Sequence, residues 1–131
     1  MMPSEDDQGA TALAVPAPRP GLEVRSRTTD EGAVVCTLVG DLDVESLVPA
    51  AGALADLVAR RPTAVVIDLR GVAFCDSSGL NLLLRTRLAA EREGLELRLA
   101  AVAPTVQRVL ELTGAQAVFS VHESVEAALA R

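Results

Sequence analysis

The string Phe74-Cys75-Asp76-Ser77-Ser78-Gly79-Leu80 holds the densest chemistry in the chain. An acid and two hydroxyls stand directly before an apolar run. Asp and Ser oxygens accept the free amides of a first helical turn, so these residues predict a helix start. The same place suits phosphate, because a helix N-terminus carries about half a positive charge and points its amides at an anion. A phosphorylated serine there adds about −1.5 to −2 charge at pH 7 and leaves the helix free to persist. What changes is any surface docked on that spot, and the neighbouring Asp76 adds repulsion. Gly79 leaves room for close approach of another backbone. A plain helix start with redundant caps is the simpler reading of the residue types alone.

Other chemistries fit less well. A serine hydrolase elbow wants Gly-x-Ser-x-Gly with a histidine and an acid in reach. Ser78 has Asp76 two places before it and Leu80 two places after, while Ser77 has Cys75 and Gly79. The single histidine, His122, reads as a residue that caps or packs at a helix start. Asp41, Asp43 and Asp76 fall at predicted strand ends, where carboxylates can take Mg²⁺, but caps and solvated loop charges use the same residues. No catalytic residue, metal or cofactor is expected. Cys36 falls in a strand and reads as packing. Cys75 sits at a strand end, where a thiolate gains from a helix N-terminus but loses beside Asp76. Neither cysteine is expected to be reactive, and two make no disulfide framework or zinc site.

These residues must be positioned by something, and the hydrophobic pattern says what. Residues 22–26 alternate as an edge strand. Thr29-Asp30-Glu31-Gly32 supplies turn chemistry, and 33–39 is a second strand paired with the first. Gly40-Asp41-Leu42-Asp43 is expected to break it. Val44, Leu47, Val48, Ala51, Leu54, Ala55 and Val58 then recur at helical spacing, with Ser46 as N-cap and Pro49 in the first turn. Arg60-Arg61-Pro62 ends that helix with cations at its negative end. Residues 64–69 form a nearly continuous β-branched run, as in a central parallel strand. Ser78 to Glu93 is a helix with Leu80, Leu83, Leu84 and Leu88 on one side, stopped by Gly94. Residues 95–100 are a strand. Pro104 opens a helix striped by Val106, Val109, Leu110 and Thr113, and Gly114 closes it. Residues 118–120 form a last strand and 123–130 a last helix. The order β-β-α-β-α-β-α-β-α calls for one α/β domain. Its sheet is mostly parallel, with an antiparallel N-terminal edge strand and about four helices.

Composition bounds the function. The 131 residues suit one domain, and half are hydrophobic. Twelve Arg and no Lys stand against 18 acids, for a net charge of −6, and aromatics are limited to two Phe. A nucleic-acid binder would show a basic stripe or stacking aromatics, so no direct nucleic-acid contact is expected. No apolar run approaches the roughly 20 residues needed to span a bilayer, and the acidic start lacks signal-peptide order. No membrane partner is expected, and the chain reads as cytoplasmic. Residues 1–20, with Pro16, Pro18 and Pro20, read as a disordered Pro-rich tail before a domain at 21–131.

The stretch from Val65 to Leu80 resembles the STAS domain of bacterial anti-sigma factor antagonists, in which a strand runs into Asp-Ser-Ser/Thr-Gly-Leu at a helix start. Gly40-Asp41-Leu42-Asp43 resembles the Gly-Glu-Leu-Asp that follows the family's second strand. Residues 108–114 resemble its third helix and Thr-Gly stop, and 118–128 its closing strand and helix. The resemblance implies a partner switch. The unphosphorylated antagonist binds an anti-sigma factor that is also an ATP-dependent serine kinase, which frees a sigma factor. The kinase phosphorylates the second serine, here Ser78, and so releases the antagonist; a phosphatase resets it. Asp76, Ser77, Gly79, Leu80 and Asn81 would surround the phosphosite, with Asp43 beside it on the docking surface and the free chain a monomer. Asn81 stands where many relatives have glycine, Cys75 replaces a larger apolar residue, and Pro49 falls one place late. STAS-like domains also serve as non-switching scaffold subunits of stress-signalling or lipid-transport complexes.

Overall fold

The first two strands form a hairpin. β1 (Leu22–Thr28) and β2 (Val34–Leu42) pair antiparallel, with Leu22 against Gly40 and Thr28 against Val34. Thr29 closes the turn twice over: its amide donates to the Ala33 carbonyl at 2.8 Å and its hydroxyl accepts the Ala33 amide at 3.0 Å. The computed structural model describes residues 21–130, so the expected tail at 1–20 lies outside the described residues.

β2 does not stop at Val39. Gly40 adopts φ +120° and the register with the third strand slips between Gly40 and Asp41. The glycine is thus a bulge inside the strand. Beyond it the Asp41 amide donates to the Gly21 carbonyl at 3.0 Å, and pairing continues to Leu42. The third strand, β3 (Val65–Cys75), also outruns the expected 64–69. It pairs parallel with β2 as far as Leu42 against Cys75, whereas β4 (Leu97–Ala100) meets only residues 65–68 of it. β5 (Ser120–His122) completes a five-stranded sheet in sequence order, parallel except for β1. The last strand starts two residues later than expected, because a 3₁₀ turn at Ala115–Ala117 follows Gly114 and Phe119 turns inward.

Three helices cover one face: α1 (Leu47–Ala59), α2 (Ser77–Arg92) and α3 (Pro104–Thr113). Under them lies a core built from Cys36 and Leu38 of β2, Ile67 and Leu69 of β3 and Leu99 of β4, with Leu54, Leu83 and Leu110 from the helices. Sheet side chains alternate between faces, so Val35, Val66 and Ala100 point the other way, onto the single helix α4 (Val125–Leu129) and its Ala128. α4 is shorter than the expected 123–130; Ser124 caps it by accepting the Ala127 amide at 3.0 Å.

The helical stripes are shifted from expectation. In α1 the buried side chains are Ala50, Leu54, Leu57 and Val58. Val44 and Val48 are 67% and 82% exposed, and Ala55 is exposed too. In α2, Leu82, Thr86 and Ala90 join Leu80 and Leu83 inside, while Leu88 is exposed. In α3, Thr113 is exposed and returns its hydroxyl to the Val109 carbonyl at 2.7 Å. No cation lies in the last turn of α1; just past the Arg60 C-cap, Arg61 turns left-handed (φ +55°), its amide donates to the Val58 carbonyl at 3.0 Å and its side chain pairs with Glu93 at 2.7 Å.

Candidate functional site

α2 starts at Ser77, one residue earlier than the sequence places it. Asp76 is its N-cap, with an extended backbone (φ −114°, ψ −169°) and a carboxylate that accepts two first-turn amides. The Ser78 amide donates to Oδ1 at 2.9 Å and the Gly79 amide to the same oxygen at 3.2 Å. Ser77 and Ser78 are therefore the first two helical residues, not the cap. Their hydroxyls take no part in any hydrogen bond among the described residues, so the helix start stands on Asp76 alone.

Gly79 fixes where that start sits. A Cβ there would lie 2.6 Å from the Leu42 carbonyl oxygen, 2.7 Å from the Leu42 Cβ and 3.1 Å from the Cys75 sulfur. The backbone that Gly79 approaches is the chain's own β2, and the Asp76 amide adds a hydrogen bond to the Leu42 carbonyl at 3.3 Å. The end of β2 and the start of α2 are thus stitched together, and Asp43 follows Leu42 directly.

Asp43 is the true organiser of its loop. Its Oδ1 accepts the amides of Glu45 and Ser46, both at 3.1 Å. Ser46 occupies the expected cap position, but its backbone is already helical (φ −94°, ψ −3°) and its side chain caps nothing. Instead the buried Ser46 hydroxyl donates back to the Asp41 carbonyl at 2.7 Å. Pro49 lies in the first turn of α1, where its missing N–H leaves no bond unmade.

The expected surround divides by exposure. Ser77 and Asn81 are exposed; Asp43, Asp76 and Ser78 are half-buried; Gly79 and Leu80 are buried and shape the site from beneath. The pattern alone did not single out Val44, Val48 and Phe74 as exposed apolar side chains at this end of the sheet. Val44 and Val48 are spaced i, i+4, but out of phase with Ala50, Leu54 and Leu57, a mismatch that was available in the sequence. Burial pushes the Cys36 thiol up to about 12. Cys75 is raised to about 11, by burial first and then by the charge of Asp76. Both are protonated at neutral pH, the opposite of a reactive thiolate. His122 belongs to β5 and lies 2.8 Å from the Ser120 hydroxyl. Among the described residues no group of three or more His, Cys, Asp or Glu side chains could hold a metal ion. Nor is any helix there long and apolar enough to cross a membrane.

A mixed five-stranded sheet, helices mostly on one face and a serine pair opening the second helix define a small α/β domain whose distinctive surface is a helix start. The chain belongs to the STAS domain family, whose model matches residues 25–128. It is 31% identical over 100 residues to the anti-sigma-F factor antagonist RsfB of Mycobacterium tuberculosis, covering 75% of this chain and 80% of that protein. The crystal structure of an anti-sigma factor antagonist from Mycobacterium paratuberculosis superposes with a TM-score of 0.71 at 30% identity, covering 83% and 92% of the two chains. The unphosphorylated form of the antagonist SpoIIAA shares the fold, with a TM-score of 0.69 at 21% identity over 82% and 93%.

Proposed function

We propose that this chain is an anti-sigma factor antagonist whose activity is binding, without catalysis. In its unphosphorylated form it binds an anti-sigma factor that is also a serine kinase, and so frees a sigma factor. Phosphate on Ser78 abolishes that binding, and a phosphatase restores it. The partners meet in the cytoplasm, the free chain is a monomer, and any magnesium arrives with the kinase's nucleotide.

The observation that supports this reading best is the division of labour at the start of α2. Asp76 holds the first-turn amides, so the hydroxyl of Ser78 is free of structural duty. A phosphate can be added there without removing a bond that the helix needs. The added charge falls beside the Asp76 carboxylate, at a half-buried position. Like-charge repulsion and desolvation then act together in any interface that covers it. Asp43, Ser77, Asn81 and the apolar Val44 and Val48 supply the surrounding surface, while Gly79 and Leu80 set its height. The 31% identity to a protein named as an anti-sigma-F factor antagonist supports the choice of partner class.

The test is a phosphosite map of the chain purified from its native cells, with Ser78→Ala as control. Phosphate at Ser78 that disappears in the variant is the expected result. Against the kinase that made it, phosphorylation should weaken binding by several kcal/mol, about two to three decades in affinity. No phosphate on Ser78 in any growth condition would overturn the switch and leave the non-switching scaffold role.

A further inference from the structure

Among the described residues the second face of the sheet is covered by α4 alone, and beside α4 it opens into a cavity of about 480 Å³. Arg27 of β1, Thr37 of β2, Asp68 and Arg70 of β3, Ala101 after β4 and Ser124 before α4 line it. The place is the C-terminal end of β4 and β5, where open α/β sheets commonly take ligands. It lies on the opposite face of the sheet from α2 and Ser78.

Three features mark this cavity as a site. Asp68 is only 6% exposed, yet its Oδ2 is not shut away from the surface, so the carboxylate opens onto the cavity that it lines. Its Oδ1 accepts the Arg70 amide at 3.1 Å. Its Oδ2 has no hydrogen bond among the described residues; the nearest cation, the well-exposed Arg70 guanidinium, stands 3.9 Å away. Secondly, Arg27 has no acidic partner among the described residues, although it lines the same space. By register Arg27 pairs with Val35, while Thr37 pairs with Asp68. Arg27 and Arg70 therefore flank the acid from opposite sides along the strands. Thirdly, Ala101 holds φ +52°, a left-handed backbone that costs a residue with a Cβ roughly 1 kcal/mol. Such strain gathers at ligand clamps.

The lining dictates the ligand. An open carboxylate oxygen takes an ammonium, and two flanking guanidiniums take a carboxylate. Glu123 and Glu126 on the α4 side add further pull on a cation and work against a purely anionic guest. The volume lies within the range of small-molecule pockets. From these features we infer that the cavity binds a small zwitterion of the free amino acid class, with its amine on Asp68 and its carboxylate on Arg27. The site is independent of phosphorylation at Ser78.

The test is a ¹H–¹⁵N titration of the full chain with the free amino acids and γ-aminobutyrate, and with ethylamine and acetate as the separate halves. At least one zwitterion should saturate shifts at Thr37, Asp68, Ala101 and Ser124 with a Kd of about 1 mM or tighter. Each half should bind at least about tenfold more weakly. Asp68→Asn should weaken binding by about tenfold or more. Arg27→Glu, a surface change on an edge strand that leaves the fold intact, should do the same, and Ser78→Ala should bind as wild type. The inference is overturned if no zwitterion moves those amides at about 10 mM, if the halves bind as well as the whole, or if Arg27→Glu binds as wild type.

Discussion

The close contact between Gly79 and Leu42 makes a sharp claim about one methyl group. Gly79→Ala would normally help a helix, because Ala is favoured over Gly by about 0.8–1.0 kcal/mol in a helix interior. Here the new Cβ would meet the Leu42 carbonyl oxygen at 2.6 Å and the Leu42 Cβ at 2.7 Å, both well inside contact distance. Neither obstacle is the tip of a movable side chain. The carbonyl belongs to a strand end that pairs with β3 and takes the Asp76 amide. Relief requires α2 to back away from the sheet, which stretches that hydrogen bond and opens the packing around Leu80. Overpacking of this kind costs about 1–3 kcal/mol, the upper end where backbone is the obstacle, so a net loss of about 2 kcal/mol remains after the propensity gain is subtracted.

Gly52 in α1 is the matched control. It is exposed, and a Cβ there meets nothing within 4 Å. Gly52→Ala should therefore stabilise the domain by about 0.5–1 kcal/mol. The same substitution in two helices is expected to have opposite signs, with urea midpoints on either side of wild type. Trp and Tyr are absent, so far-UV circular dichroism follows the transition. A Gly79→Ala protein as stable as wild type would refute the packing argument, and with it the claim that Leu42 fixes where Ser78 stands.

Three further outcomes follow from the same geometry. Asp76→Ala removes the acceptor of two amides and should cost about 0.5–2 kcal/mol, measured by urea unfolding, with Asp76→Asn largely neutral. Ser78→Ala should leave stability within about 0.5 kcal/mol of wild type, because its hydroxyl bonds to nothing among the described residues; a larger loss would contradict the assigned freedom of that group. Both thiol pKa values are raised in the fold above the usual 9.0, to about 12 for Cys36 and about 11 for Cys75. The unfolded chain therefore loses those protons first as pH rises, and stability, whole below pH 9, falls by about 1.4 kcal/mol per pH unit for each thiol above it. The decline should level off near 11 for Cys75 and near 12 for Cys36. The chain has no Lys or Tyr to titrate in that window, so Cys36→Ala and Cys75→Ala should each flatten the slope measured by unfolding at pH 9–11.

The order of elements was legible because each strand and helix carries its own period, and Gly94 and Gly114 stand at the helix ends, both at φ +75°. A capped helix start at residues 76–78 was legible, but Asp, Ser and Ser all suit the cap by type, and only the backbone geometry selects Asp76. The limits of β2 and β3 were not legible. A glycine after an apolar run marks either a stop or a bulge, and only the partner strand decides; at Gly40 that partner supplies a register shift and the chain continues. Val44 and Val48 were misread because a wide helical stripe admits almost any valine near its edge. Ser46 was misread as a cap because serine suits that role by type, whereas its hydroxyl is turned back onto the Asp41 carbonyl and Pro49, three residues on, has no amide to offer it. At the Asp68 cavity, the sequence offers only Asp and Arg in alternating strand positions. The register across β1, β2 and β3 is what sets the acid between two arginines.

A switch by covalent modification needs a residue that the fold can ignore and a surface that cannot. Ser78 meets the first need because Asp76 has displaced it from capping: had the serine been the N-cap, phosphorylation would have disturbed the helix itself. Gly79 meets the second. By drawing α2 against Leu42 it ties Ser78 to the loop organised by Asp43, so a charge added there would stand beside a surface with little freedom to move away from it. If the proposed switch holds, it follows that Ser78→Asp, with one carboxylate in place of a dianionic phosphate, should weaken the partner without unfolding the domain. Its urea midpoint should match that of Ser78→Ala while their affinities for the anti-sigma factor kinase diverge. Parallel losses of stability and affinity in Ser78→Asp would place the effect in the helix and refute a switch that acts on the surface alone.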